Sequence, residues 1–268
     1  MRPATPPTLA LVGVLVLSGC QGDSPNASPE PGATALPQTS DPVDLDLVRL
    51  SPDITNKYWP MAPGTRWTYR EIDEAGHAVR VVVTVSTETK QVANGVTARI
   101  VRDTVTEDGE LVEDTFDWYA QDDAGTIWYL GEDTAEFQDG KIASREGSFE
   151  AGVDGALPGV IMPGEPEVGL AYRQEYYEGE AEDNGEILSV AEMADVPAGH
   201  YEDMLLTKDT ITIEPDVLEY KLYAPGVGPV LVFGVSGGGG REELVEMSQV
   251  NSRVASAAGT TPLGEPYD

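Results

Sequence analysis

Between Ala78 and Ser86 the sequence A-V-R-V-V-V-T-V-S places Val79, Val81, Val83 and Val85 at alternate positions. That is the period of a strand with one face buried. Similar short runs follow: T-A-R-I-V-R-D-T-V, L-V-E-D-T-F-D-W-Y-A, T-I-W-Y-L and K-I-A-S-R-E-G-S-F. The second half adds A-Y-R-Q-E-Y-Y, L-L-T-K-D-T-I-T-I, L-E-Y-K-L-Y, P-V-L-V-F-G and E-L-V-E-M-S. Turn chemistry separates the runs. Asn94-Gly95, Asp108-Gly109, Asp139-Gly140, Asp154-Gly155 and Asn184-Gly185 are pairs suited to positive φ, and D-D-A-G at 122–125 is a further turn. No strand–helix–strand alternation and no solenoid repeat is visible. The pattern predicts an all-β fold, mainly an antiparallel meander, with the sheet curled into a barrel or half-barrel. At most one or two short helices are expected, one of them as a helix or loop insert around Glu186–Ala194.

The hairpin R-D-T-V-T-E-D-G-E-L-V-E-D-T-F-D-W, residues 102–118, poses a problem. With Asp108-Gly109 as a two-residue turn, Val105 faces Val112, Asp103 faces Asp114, Val101 faces Phe116 and Arg99 faces Trp118. These positions share the more apolar face. Thr104, Glu113, Arg102, Thr115 and Asp117 fall on the other face, which reads as wet. Two carboxylates opposed within an apolar stripe destabilise a sheet, and burial aggravates this. Three arrangements relieve it: Arg99 pairs with the two aspartates, a cation such as Ca2+ lies between Asp103 and Asp114, or the register slips.

The ends differ from the middle. Residues 21–52 are rich in Pro, Ser, Ala and Gly and predict a disordered tether, whose later part, Val43–Leu50, is apolar enough to dock, and residues 251–268 a frayed tail. The remainder, 53–250, is expected to be one β-rich domain. The chain has 268 residues and a formal net charge of −31, with 47 Asp and Glu against 16 Lys and Arg. That balance argues against nucleic acid and against docking on anionic lipid through a basic patch. It is compatible with solubility, with cation binding or with a basic partner.

One cysteine, Cys20, excludes an internal disulfide. It ends the apolar run T-L-A-L-V-G-V-L-V-L-S-G-C, which follows Arg2 and is too short to span a bilayer. Leu17-Ser18-Gly19-Cys20 resembles the lipobox of bacterial lipoprotein signal peptides. The resemblance implies removal of residues 1–19, acylation of Cys20, and a domain held to the cell membrane on its extracytoplasmic side.

Reactive chemistry is poorly represented. Gly234-Val235-Ser236-Gly237-Gly238 fits G-x-S-x-G, but glycines follow it and neither His77 nor His200 lies downstream, so a hairpin loop accounts for it. Two separate histidines make no zinc set, and both read as exposed turn residues. Residues 180–191 have the central Gly of a calcium loop, but Glu180 stands where Asp is required and Glu192 falls one place late. The aromatic residues Trp59, Trp67, Trp118, Trp128, Tyr119 and Tyr129 either line a ligand pocket or fill the core, and the alternation of Trp67 with Tyr69 favours core.

Three longer stretches carry a resemblance. N-K-Y-W-P-M-A-P-G-T-R-W-T-Y, D-W-Y-A-Q-D-D-A-G-T-I-W-Y-L-G-E-D-T and Y-A-P-G-V-G-P-V together resemble a family of bacterial exported lipoproteins of uncharacterised activity. The last is distantly similar to motifs of TapB-like and lipoprotein-carrier-like half-barrels. The resemblance implies a curved antiparallel sheet able to hold something apolar, and it carries over no catalytic residues. The expectation is therefore a non-enzymatic, membrane-anchored module that binds an apolar, peptidic or glycan ligand or a basic protein partner. Two alternatives stand beside it: a Ca2+-dependent module using Asp103 and Asp114, and an envelope hydrolase using the same pair. No other cofactor is expected.

Overall fold

The computed structural model describes residues 36–45, 48–72, 78–92, 95–236 and 240–268, which belong to one compact unit, Leu36–Asp268. It is all-β apart from one short helix. In chain order the strands are β1 (Leu50–Ser51), β2 (Thr65–Ile72), β3 (Ala78–Gln91), β4 (Thr97–Glu107), β5 (Glu110–Asp122), β6 (Ile127–Gln138), β7 (Lys141–Ser144), β8 (Phe149–Glu150), β9 (Gly159–Met162) and β10 (Ala171–Arg173). They continue with β11 (Asp183–Val196), β12 (Gly199–Ile211), β13 (Leu218–Ala224), β14 (Gly228–Ser236) and β15 (Arg241–Gln249), and the helix α1 is Ser252–Thr260.

Two antiparallel meanders make one sheet. The order is β10-β11-β12-β13-β14-β15-β2-β3-β4-β5-β6-β7, with β1 on β5 and with β8 and β9 on β6. The second meander joins the first where β15 pairs with β2, Met247 opposite Trp67. The sheet curls without closing into a barrel. Past β9 and β10 the strand ends are tied by an isolated bridge between Leu157 and Tyr176. Buried apolar side chains of both meanders form a single cluster, with Trp67, Ile127 and Leu130 from the first and Ile187, Met204, Leu205 and Tyr223 from the second.

The hairpin turns follow their residues. Asp108 and Gly109 have φ of 49° and 87°, and Asp139 and Gly140 have 53° and 70°, as a two-residue turn with both central residues left-handed requires. The ladder beyond the first turn is not the predicted one. Glu107 faces Glu110 and Thr106 faces Leu111, but Val105 faces Glu113, so Val112 is an extra residue in β5. This bulge moves every later pair by one place and turns the strand over. Asp103 then faces Thr115, and Asp114 faces Thr104. The two aspartates lie on opposite faces: of the three arrangements it is the slipped register that holds, produced by a bulge, and the Asp103–Asp114 pair is corrected.

Four further expectations are corrected. Residues 36–45 and 48–52, assigned to a tether with only Val43–Leu50 expected to dock, pack on the domain over a longer stretch: Leu45 is buried, Leu36 and Val48 lie against the core, and β1 pairs with β5. Residues 251–268, assigned to a frayed tail, hold α1, which Asn251 caps by accepting from the amides of Arg253 and Val254. The insert expected at Glu186–Ala194 is the middle of β11. Asn184-Gly185 is no turn but lies within β11, where a side chain on Gly185 would come within 2.7 Å of the Tyr172 ring.

The C-terminal segment covers the outer face of β3 and β4. Ser86 donates to the Ala255 carbonyl at 2.8 Å, and Ser256 donates to Glu88 at 2.7 Å. Arg102 and Asp114 lie beneath it, almost wholly buried. The guanidinium forks onto both Asp114 oxygens and also donates to the carbonyls of Thr261, Pro262 and Glu265. Asp114 accepts in addition from the Gly264 amide and the Thr104 hydroxyl. Nearly every lone pair and proton of this ion pair therefore has a partner, the condition under which a buried pair is tolerated. Arg99, one of the three ways offered to relieve the aspartates, instead donates to the carbonyls of Pro52, Ser86, Thr87 and Glu88 and lies 3.6 Å from Asp53.

Candidate functional site

The three stretches that carry the family resemblance meet around Trp59. Asn56 accepts from the amides of Tyr58 and Trp59 and donates to the carbonyls of Gly125 and Pro163, which fixes the loop before β2. The Lys57 carbonyl accepts from Gly226 at 2.7 Å, Trp67 Nε1 donates to Val227, and Tyr69 donates to Pro229. Gly228 has φ of 112°, and a side chain there would come within 2.9 Å of Trp59. The indole thus lies against bare backbone and turns its other side to Tyr119 and Tyr223, each with ring centroids 5.8 Å away. Tyr119 stacks on Tyr129 at 4.8 Å, and Phe149 abuts Tyr129 edge-on at 5.5 Å.

The rings of Trp59, Tyr119, Tyr129 and Tyr223 form one wall of a cavity of about 600 Å³ inside the curl, bounded by strands from β13 through β15 and β2 to β6. Alternation decides what enters it. Glu113, Thr115, Asp117 and Tyr119 project from β5, Val81 and Val83 from β3, and Asp103 from β4. The β5 face that the sequence pattern read as wet is the inner one, and the bulge at Val112 is the reason. Glu132 of β6, Glu242 of β15, Glu71 of β2 and Glu219 of β13 add further carboxyl groups, with Glu175 beside β10. Glu136 and Glu146 are exposed lining residues. Lys221 is the single basic side chain among the lining. Its ammonium lies 3.0 Å from Asp209 and 3.6 Å from Glu219.

Burial raises Asp103, Glu113, Asp117, Glu132, Glu175 and Glu242. Asp103 lies well above the ordinary carboxylate range, through desolvation and then the charges of Asp117 and Glu242. Glu175 is displaced the same way by burial, Asp183 and Glu132. Glu242 is pushed up to about 7 by burial and by Glu71. Asp117 reaches about 7 because burial outweighs its hydrogen bond from Tyr129, and Glu132 reaches about 8 through burial and the neighbouring Asp117. The Tyr129 hydroxyl is 2.7 Å from both Asp117 Oδ1 and Glu132 Oε2. A phenol has one proton and can donate to one of them. The other contact needs a carboxyl proton, so Asp117, Tyr129 and Glu132 share two protons among three oxygens whenever both contacts are made.

Of the predicted ligand-lining residues, Trp59, Tyr119 and Tyr129 lie in the cavity wall. The other three tryptophans are buried elsewhere. Trp67 bonds Val227, Trp128 donates to Asp122 at 3.0 Å, and Trp118 lies 3.9 Å beneath the Lys90 ammonium. Asp103 lines the cavity and Asp114 does not, so the two cannot clasp one cation or act as one acid–base pair. Among the described residues no group of three or more His, Cys, Asp or Glu is placed to hold a metal ion. Cys20 and His77 lie outside the described residues. His200, half-exposed at the start of β12, contacts Asp195 at 2.9 Å. Ser236 ends β14 and donates to the Asp216 carbonyl, and residues 183–191 of the calcium-loop stretch lie in β11. Sequence reasoning missed Asp117, Glu132, Glu175, Lys221, Tyr223 and Glu242. The signal was present for β5, where Glu113, Thr115, Asp117 and Tyr119 keep a period of two, but it was set on the wrong face.

A second depression, of about 820 Å³, lies over β2, β3 and β15. Its charges are balanced by contacts of Glu243 with Arg70 and Arg241.

No protein-family profile matches the chain, and no curated protein matches it. Among solved structures, a candidate lipoprotein of Parabacteroides distasonis aligns with a TM-score of 0.40 and 12% identity, over 72% of this chain and 99% of that one.

Proposed function

We propose that the chain is a non-catalytic binding module, anchored to the outer side of the cell membrane through Cys20, that holds its ligand inside the curled sheet. The observation that carries the reading is the cavity of about 600 Å³ with an aromatic wall, a size and lining that suit a small organic ligand or a peptide segment. No helix among the described residues is long and apolar enough to cross a membrane, and two acyl chains on Cys20 suffice for stable attachment. The carboxyl groups favour a polar ligand over a purely apolar one.

Two measurements test this. Mass spectrometry of the mature protein from membranes is expected to find the acylated Cys20 as the first residue, and a free thiol there would remove the anchor. Hydrogen exchange with envelope peptides, glycans and amines is expected to give protection in β5, β6 and β13 with at least one class. Protection confined to the outer surface, or none with any class, would overturn the binding site.

A further inference from the structure

We propose that the cavity recognises an oligocationic organic ligand, one that carries ammonium or guanidinium groups on flexible apolar stems. This rests on the binding-module reading and names the chemistry of its ligand.

Three independent features lead there. The first is an uncompensated acceptor. Asp103 Oδ1 is shielded from solvent and has no hydrogen-bond partner, although Asp103 lines the cavity. A buried carboxylate oxygen left unpaired is costly and rare, and a cationic donor from a ligand would satisfy it. The second is the way the charge is spread. Asp103, Asp117, Glu132, Glu175 and Glu242 come from different strands and segments around the cavity, and no described set converges tightly enough for a metal ion. Distributed acceptors suit a ligand whose positive charges are themselves distributed along a chain. Val81, Val83, Ile161 and Val232 lie between them and offer apolar surface to the stems. The third is the aromatic wall of Trp59, Tyr119, Tyr129 and Tyr223, whose ring faces attract organic cations.

The cavity already contains one such group. Lys221 places a primary ammonium on a four-carbon stem against Asp209 and Glu219. Burial lowers its proton affinity, but the opposing charges of Asp209 and Glu219 prevail and hold the ammonium charged. That side chain neutralises one side of the cavity. Asp103, with Asp117 and Glu242 near enough to raise its pKa, has no such cation.

Isothermal titration of the full mature chain in detergent, at pH 8, tests the proposal. The probes are spermine, tri-lysine, tri-arginine, tri-alanine, a peptidoglycan-derived oligosaccharide and CaCl2. The comparison is between D103N/E242Q, which removes two inner carboxyl groups, and E165Q/E167Q, which removes two exposed ones elsewhere. The inner variant keeps shape and relieves repulsion, so it is expected to fold with an equal or higher melting temperature, and hydrogen exchange confirms an unaltered sheet. The expected result is that the cationic probes bind, that D103N/E242Q weakens them by about tenfold or more, and that E165Q/E167Q leaves them within about twofold. Preference for spermine identifies a free polyamine as the source, and preference for a peptide identifies a basic protein segment. Equal weakening by both variants means diffuse surface attraction and overturns the proposal. Binding of Ca2+ alone, or of only the neutral probes, overturns the cationic ligand and leaves the binding module standing. Binding of no probe overturns both.

Discussion

At the residue scale, the two most informative groups face opposite ways. Arg102 and Asp114 are a closed outer pair with almost every donor and acceptor used. Replacing one member strands the other charge in a dry place, which costs about 3–5 kcal/mol. D114A is therefore expected to lower the unfolding free energy by about that much in urea melts, whereas the double change R102L/D114L recovers much of the loss. A D114A protein as stable as wild type would mean that water reaches the pair. On the inner face, Tyr129 stands between Asp117 and Glu132 and stabilises whichever carboxylate is charged. Y129F removes that support, so both acids, already displaced to about 7 and about 8, are expected to titrate higher still in carbon-13 NMR. A downward move would show that the hydroxyl favours the neutral acids instead.

At the element scale, the C-terminal segment is structural although its sequence reads as loose. Gly259 lies so close to Ser86 that a side chain would come within 2.3 Å of its hydroxyl, and Gly264 lies against Phe137 in the same way at 2.7 Å. Arg66 pairs with Asp268, the last residue, and Tyr267 contacts Thr84. Removing residues 251–268 opens Arg102 and Asp114 to water and uncovers the face of β3 on which α1 packs, so the truncated chain is expected to lose several °C of melting temperature, about 2–4 °C per kcal/mol lost. An unchanged melt would show that the segment is an accessory cover. The strands themselves were readable because period-two valines and Asp-Gly turns are local signals. The tail was not, because small residues such as those of S-A-A-G gain order only from the groove that receives them. The face of β5 was not readable either. One extra residue at Val112 leaves the local pattern nearly intact while it exchanges inside for outside, and only the ladder with β4 and β6 fixes which assignment holds. The cavity inherits that uncertainty: Asp103 could be named from sequence, but Asp117 and Glu132 needed the flipped register.

At the scale of the whole molecule, the buried acids set the dependence of stability on pH. A carboxyl group whose folded value lies above its unfolded one keeps its proton longer when folded, so the folded state binds more protons over the interval between the two. Asp117, Glu132 and Glu242 span from ordinary values of 3.8 and 4.5 to about 7, about 8 and about 7, and Asp183 rises to about 6 through burial. Asp103, Glu113 and Glu175 move in the same direction. For Asp117, Glu132, Glu242 and Asp183 the contribution is whole below about pH 4, declines as pH rises through the interval, and is gone above about pH 8, each unit of displacement being worth about 1.4 kcal/mol; the other three lose theirs in the same direction as pH rises. Exposed His200, raised by the hydrogen bonds it donates to Asp195 and Glu202, has the same sign. Lys221 is raised above its ordinary 10.5 and stays charged throughout the interval, so it does not reverse the trend. A formal net charge of −31 adds repulsion as the acids ionise. The melting temperature is thus expected to fall by about 5–10 °C between pH 5 and pH 8.5, and E132Q, which cannot ionise, is expected to flatten the curve. Calorimetry at constant ionic strength decides it. A melting temperature that holds level or climbs over that range would mean that the inner carboxyl groups are already solvated, and the cavity would then be an open trough of ordinary surface acids.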